Sequence, residues 1–143
     1  DGSMSRVLES VGRVHSSDLF DRGYGEAGVD FLLSTRRTEN IVTNPPYNAA
    51  ESFVRCGVES ASKKFALLLR LAFLEGANRA RTIFTDCPPS RVWVFSERIT
   101  FYPVGVEQKG TGTTAYAWFV WDKDAPGETE LKWLRPGYKA KYA

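Results

Sequence analysis

Histidine occurs once in this 143-residue chain, at His15, and cysteine twice, at Cys56 and Cys87. That stock excludes the usual Cys/His zinc sets, excludes a two-histidine facial triad and leaves room for at most one histidine-based catalytic triad. Two thiols also make no disulfide framework, so a reduced, cytoplasmic setting is expected. No apolar run approaches the ~20 residues of a membrane span, and no signal peptide opens the chain. Charge of one sign is scarce as well: 19 Lys+Arg stand against 17 Asp+Glu, a formal net charge of +2. So small an excess neither diagnoses nor excludes a nucleic-acid binder. Internal repeats, low-complexity stretches and long linkers are absent.

What is present is ordinary globular material. Hydrophobic residues make up 43% and charged residues 25%, which excludes disorder and collagen-like structure. The length fits one domain with a real core, spanning 1–143. Apolar Met4, Val7, Leu8 and Val11 give the segment from Ser3 to Ser10 helical spacing. Arg13 to Leu19 reads as a short strand ended by Asp18, and the glycine-rich stretch from Phe20 to Gly28 as a loop. Val29 to Leu33 is a short apolar stretch around Asp30. The β-branched run from Asn40 to Thr43 is a strand, stopped by Pro45-Pro46.

A helix follows. Asn48 and Glu51 resemble a capping box, and Ala50, Phe53, Val54, Gly57, Val58 and Ala61 share one face. Phe65 to Leu69 is continuously apolar, as in a strand buried on both faces. Leu74 to Phe84 reads as a second helix, ended before Pro88-Pro89. Arg91 to Phe95, Ala115 to Trp121 and Glu130 to Leu134 are further strands, and Ile99 to Val104 flanks the first of them. Strands alternating with helices argue for an α/β fold with a mostly parallel sheet and one antiparallel strand near the C-terminus. In such sheets ligands bind outside the carboxyl ends of the strands. That rule singles out Asp18, Asp30 and the run Asn44-Pro45-Pro46-Tyr47.

Asn44-Pro45-Pro46-Tyr47 after an apolar strand resembles the signature of the S-adenosylmethionine-dependent amino-methyltransferases. Among these the adenine-specific DNA methyltransferases of phage and prophage are the most similar. The resemblance spans essentially the whole chain and implies a Rossmann-like methyltransferase fold with S-adenosylmethionine as cofactor. It implies catalytic roles for Asn44, Pro45, Pro46 and Tyr47. Asp18 matches the acid that holds the cofactor ribose, and Asp30-Phe31 the pair that holds its adenine. Asp1-Gly2-Ser3-Met4 looks like the tail of the family's glycine turn, which makes Gly2 a cofactor-binding candidate. The family's first strand and most of that turn are then expected before Asp1, so the domain is expected to be incomplete and its cofactor binding badly weakened, with activity of this chain alone left open. Without that strand, a neighbouring copy filling the gap in a swapped dimer, or a separate recognition segment, is a further expectation.

The tetrapeptide has a physical logic of its own. The exocyclic amine of adenine is a poor nucleophile, because its lone pair is delocalised into the ring. Two acceptors aimed at the amine hydrogens favour a tetrahedral nitrogen. The Asn44 side-chain oxygen and the Pro45 carbonyl suit that task, and two prolines preorganise them. Tyr47 offers a face on which an extruded base stacks. The methyl then moves by direct in-line displacement, catalysed by positioning, with no metal. The expected function is methyl transfer to the N6 amine of adenine in DNA.

A planar glutamine amide in a protein and an RNA base pose the same lone-pair problem, so both stay open as alternatives. A catalytically silent methyltransferase-like domain also stays open. Bland readings stand beside the sharp ones: Asp18 as a loop acid, and Trp93, Phe95, Phe101, Tyr116, Trp118, Phe119 and Trp121 as core and sheet face. His15, Cys56 and Cys87 are expected to be structural. Lys109-Gly110-Thr111-Gly112-Thr113 lacks phosphate-loop spacing and is a connection first. The basic residues Lys132, Arg135, Lys139 and Lys141 form a solvated terminus or a phosphate-contacting arm.

Overall fold

The computed structural model describes residues 2–101 and 112–137. The chain divides into two compact units, Asp1–Arg36 and Arg37–Ala143.

The first unit holds one helix, α1 (Ser3–Glu9), and two very short strands, β1 (Ser17–Asp18) and β2 (Glu26–Ala27). The strands pair in parallel, Ser17 opposite Glu26 and Asp18 opposite Ala27. The expected strand from Arg13 to Leu19 thus shrinks to two residues, and the expected loop from Phe20 to Gly28 contains β2. Turn chemistry explains both. The Asp21 carboxylate accepts from Gly23 N, and Gly23, Gly25 and Gly28 all adopt positive φ, which bends the chain before a ladder can lengthen. Val29 to Leu33 forms a turn in which Leu33 N donates to the Asp30 carbonyl. Glu26 holds the Arg36 guanidinium in a two-pronged ion pair, with Nη1–Oε2 at 2.6 Å and Nη2–Oε1 at 2.8 Å. That pair drives the Glu26 carboxyl down to about 2, with nearby His15 adding to the effect.

The second unit is built on a five-stranded sheet of order β3-β4-β6-β5-β7. Its strands are β3 (Thr38–Thr43), β4 (Ala61–Arg70), β5 (Arg91–Phe95), β6 (Tyr116–Asp122) and β7 (Glu130–Leu134). β3 pairs in parallel with β4, and β5 with β7. β6 lies antiparallel between β4 and β5. Two of the four pairings are therefore antiparallel, and the expected mostly parallel sheet is corrected to a mixed one. A parallel neighbour needs a crossover connection, usually a helix. No helix lies between β5 and β6 among the described residues, so β6 returns against both of its neighbours.

Helix α2 (Ala50–Ser60) covers β4. Its buried residues Ala50, Val54 and Gly57 fall on the apolar face expected from the sequence. The entry differs from the expected capping box. Pro46 is extended at φ −56° and ψ 125°, and a single 3-10 turn, Tyr47–Ala49, intervenes. Asn48 therefore sits inside a turn, and α2 begins at Ala50 after Ala49, which offers no side-chain cap. The single helix expected from Leu74 to Phe84 is a 3-10 turn (Leu71–Leu74) and two short helices, α3 (Ala77–Arg81) and α4 (Ile83–Asp86). Thr82 makes the break. Its backbone is non-helical, and its hydroxyl donates to the Asn78 carbonyl, the competition that hydroxyl side chains offer a helix.

The core sits between these helices and the sheet. Val54, Phe65, Leu67, Leu69, Ile83, Val92 and Phe119 are buried there. Each such side chain contributes roughly 1.5–3 kcal/mol by leaving water. Phe73 meets Phe119 edge-on, with ring centroids 5.4 Å apart. Leu68, on the opposite face of β4, is also buried, which explains the unbroken apolar run there. No helix among the described residues is long and apolar enough to cross a membrane.

Candidate functional site

Asn44 follows the last residue of β3, and the chain turns there because Pro45 and Pro46 cannot continue a ladder. Pro45 is buried and anchors the turn, while Asn44 is exposed. The Asn44 amide has no side-chain hydrogen bond among the described residues, so its oxygen is free to accept. Tyr47 follows at the start of the 3-10 turn, half-buried.

β4 runs parallel to β3 with Thr43 opposite Leu67, so the carboxyl ends of the two strands lie side by side. Arg70 ends β4, and Tyr116 opens β6 directly opposite it. These two residues complete the surroundings of Tyr47. The Arg70 guanidinium lies over the Tyr47 ring, 4.8 Å from its centroid. Tyr116 meets Tyr47 at 6.1 Å with the rings tilted by 45°. Phe101 packs edge-on against Tyr116 at 5.0 Å. Tyr116 is buried and Phe101 exposed, so the group runs from the core to the surface. Burial pushes the Tyr47 phenol up to about 12, and hydrogen bonding with Tyr116 adds to this despite the opposing charge of Arg70. Tyr47 is therefore a neutral aromatic face at any physiological pH.

Sequence reasoning placed Asn44, Pro45, Pro46 and Tyr47 at a strand's carboxyl end, and they are there. It missed Arg70, and it read Tyr116 and Phe101 only as core and sheet face. The signal for Arg70 was its place directly after the apolar run Phe65 to Leu69, another strand end of the same kind.

The residues expected to hold a cofactor belong to the first unit. Asp18 is the last residue of β1, and its carbonyl accepts from Val29 N, beside Asp30. Asp18 and Asp30 thus share one end of the small parallel sheet. Asp18 Oδ1 accepts from Phe20 N at 2.9 Å, and Oδ2 from Arg22 Nε at 3.2 Å. Asp30 Oδ1 accepts from Leu32 N at 2.9 Å. Each carboxylate oxygen has more than one acceptor position, so both acids keep capacity for further donors. Phe31 is half-buried beside Asp30. Gly2 adopts φ 73°, but the Tyr24 ring fills the space where its Cβ would be. Gly2 therefore offers no open cradle.

His15 Nε2 lies 3.1 Å from Glu26. Burial pushes the Cys87 thiol up, which suppresses thiolate chemistry. Lys132 pairs with Glu130 at 2.8 Å and lies over Trp93. Lys109 to Thr111, Lys139 and Lys141 lie outside the described residues, as do 102–104 of the expected flank. Among the described residues no group of three or more His, Cys, Asp and Glu side chains is placed to hold a metal ion. Comparison with protein-family models gives no match to this chain, and comparison with curated proteins gives no significant match.

Proposed function

We propose that this chain belongs to a methyltransferase domain of Rossmann-like type, which transfers a methyl group from S-adenosylmethionine to the N6 amine of adenine in DNA. The observation that carries the reading is Asn44. Among the described residues an amide oxygen without a hydrogen-bond partner follows the carboxyl end of a strand, next to a buried proline and ahead of a half-buried tyrosine. An exposed amide with no partner among the described residues suits an acceptor for an incoming amine. β6 adds support, as one strand reversed relative to its neighbours late in the chain.

Asp18 and Asp30 suit hydroxyl and amine donors of the cofactor, and Phe31 suits an apolar contact with its adenine. The role of Gly2 in the glycine turn finds no support in its surroundings, because Tyr24 occupies them. The cofactor supplies a sulfonium methyl, which is electrophilic. The protein's part is to orient the amine. Asn44 Oδ1 and the Pro45 carbonyl would accept its two hydrogens and localise the lone pair on nitrogen. As the N–CH3 bond formed the sulfonium S–CH3 bond would break, the sulfur would keep the bonding pair as a neutral thioether, and the surplus proton on nitrogen would pass to water. Tyr47 holds the base by stacking, worth ~1–3 kcal/mol.

The test is transfer of tritiated methyl groups to adenine-containing DNA. Asn44→Ala is expected to abolish transfer and to leave cofactor affinity largely intact. A near-normal rate in that variant rejects the mechanism. Asp18→Ala is expected to weaken cofactor binding, and unchanged affinity returns Asp18 to a purely structural role. One observation favours a second reading, a catalytically silent domain. Both Asp18 oxygens already accept hydrogen bonds, one of them from Arg22. Absence of cofactor binding by calorimetry supports that reading.

A further inference from the structure

Arg70 is exposed at the carboxyl end of β4, with its guanidinium over the ring of Tyr47. Arg22, Arg36, Arg55, Arg79 and Arg91 are each held by a carboxylate. Arg70 makes no ion pair among the described residues. A planar cation that stacks on an aromatic ring keeps its edge N–H groups free, and those groups match the oxygens of a phosphate. Tyr47 is also the ring on which the proposed function stacks the target base. A nucleotide stacked there brings its own phosphates with it, whereas a glutamine side chain in a protein brings none.

We infer that Arg70 is a phosphate-binding residue of this site: it backs the Tyr47 ring with its face and grips a backbone phosphate beside the extruded nucleotide with its edge, which selects a nucleic acid over a protein amide. The inference rests on the proposed function and deepens it by naming a residue that recognises the nucleic-acid backbone of that substrate. Two consequences separate this role from a merely structural one. Binding loses a charge-dependent part when the cation is removed, and it recovers that part when lysine replaces arginine. A neutral residue that only supported Tyr47 would leave the salt dependence unchanged.

The experiment measures the salt dependence of binding of an adenine-containing single-stranded oligonucleotide by fluorescence anisotropy, together with kcat and KM for methyl transfer. For single strands the slope of log affinity against log salt is about −0.7 per phosphate contact. Arg70→Gln is expected to flatten the slope by about 0.7 and to raise KM for DNA roughly tenfold, with kcat changed much less. Arg70→Lys is expected to retain the slope. Thermal unfolding of both variants is expected to match the unaltered chain, because the side chain is exposed. If the unaltered chain methylates DNA and Arg70→Gln leaves slope and KM unchanged, the inference is overturned while the function of Asn44 stands. Loss of the slope in Arg70→Lys as well as Arg70→Gln also overturns it, because the charge is then not what binds. If the unaltered chain shows no salt-dependent DNA binding, both readings fail, and methylation of a glutamine-bearing peptide would redirect the site to a protein substrate.

Discussion

Gly57 of α2 lies directly under the ring of Phe65 on β4, with no room for a Cβ between them. Both residues are buried. Gly57→Ala gains about 1 kcal/mol of helix propensity but drives a methyl into the ring. Overpacking of this kind costs ~1–3 kcal/mol. The expected outcome is a net loss of stability, read as a lower urea midpoint with unchanged slope. Adding Phe65→Leu is expected to recover part of that loss, because the smaller side chain frees the contact. A more stable Gly57→Ala variant would show that helix and strand are not packed this closely.

Tyr47 yields a prediction about high pH. Its folded value, about 12, lies above the ordinary 10.0 of a tyrosine. Folding therefore favours the protonated phenol. The stabilisation is complete below pH ~10 and is lost as pH rises through about 12. A spectrophotometric titration near 295 nm is expected to show a late-titrating phenol in the unaltered chain that is missing from Tyr47→Phe. Tyr47→Phe keeps the stacking face and is expected to leave stability at neutral pH little changed while removing the loss as pH rises through about 12.

Glu26 yields the opposite sign. Its carboxyl is held at about 2 by Arg36, below the ordinary 4.5. Its contribution is present above pH ~4.5 and is lost as pH falls through about 2. Amide hydrogen-exchange protection across β1 and β2, taken relative to intrinsic rates, is expected to fall over that window. Glu26→Gln is expected to show low protection already at pH 7 and no further loss in acid. An acid-sensitive Glu26→Gln variant would assign the effect to another group.

Asp122 is buried where β6 ends. Arg91 reaches it at 2.9 Å and Lys64 at 3.5 Å. The Arg91 guanidinium first of all, and Lys64 with it, holds this carboxyl below the usual carboxylate range. Asp122→Ala is expected to lower the urea midpoint more than Lys64→Ala, because it leaves Arg91 without its closest partner. The difference is expected to narrow in acid, as the native carboxylate of the unaltered chain is protonated. Equal midpoints for the two variants would mean that the cluster contributes nothing as a unit.

Much of the fold is visible in the residue pattern, and the reasons are local. Arg91 to Phe95 and Glu130 to Leu134 form strands within the bounds expected, because β-branched and aromatic residues are bracketed there by turn residues. The apolar face of α2 follows from its spacing. Direction is not local. Nothing in Tyr116 to Asp122 says that this strand runs against Leu67 and Val92, since alternation looks the same read either way. The split at Thr82 turned on one hydroxyl choosing a carbonyl. At the candidate site, Asn44 to Tyr47 announces itself by residue type. Arg70 and Tyr116 do not, because their adjacency depends on a register between residues about 50 positions apart.

That register also governs how the sheet is assembled in time. β6 occupies the middle of the sheet, yet it is synthesised after both of the strands it joins. Until it arrives, β4 and β5 have no partner in common, and Leu67, Leu69 and Val92 stay without the cover that Phe119 and Ala117 later provide. Closing such distant pairs requires large loops to be ordered before any contact repays them, so the nascent chain is expected to fold slowly, with apolar strand edges open to other chains meanwhile.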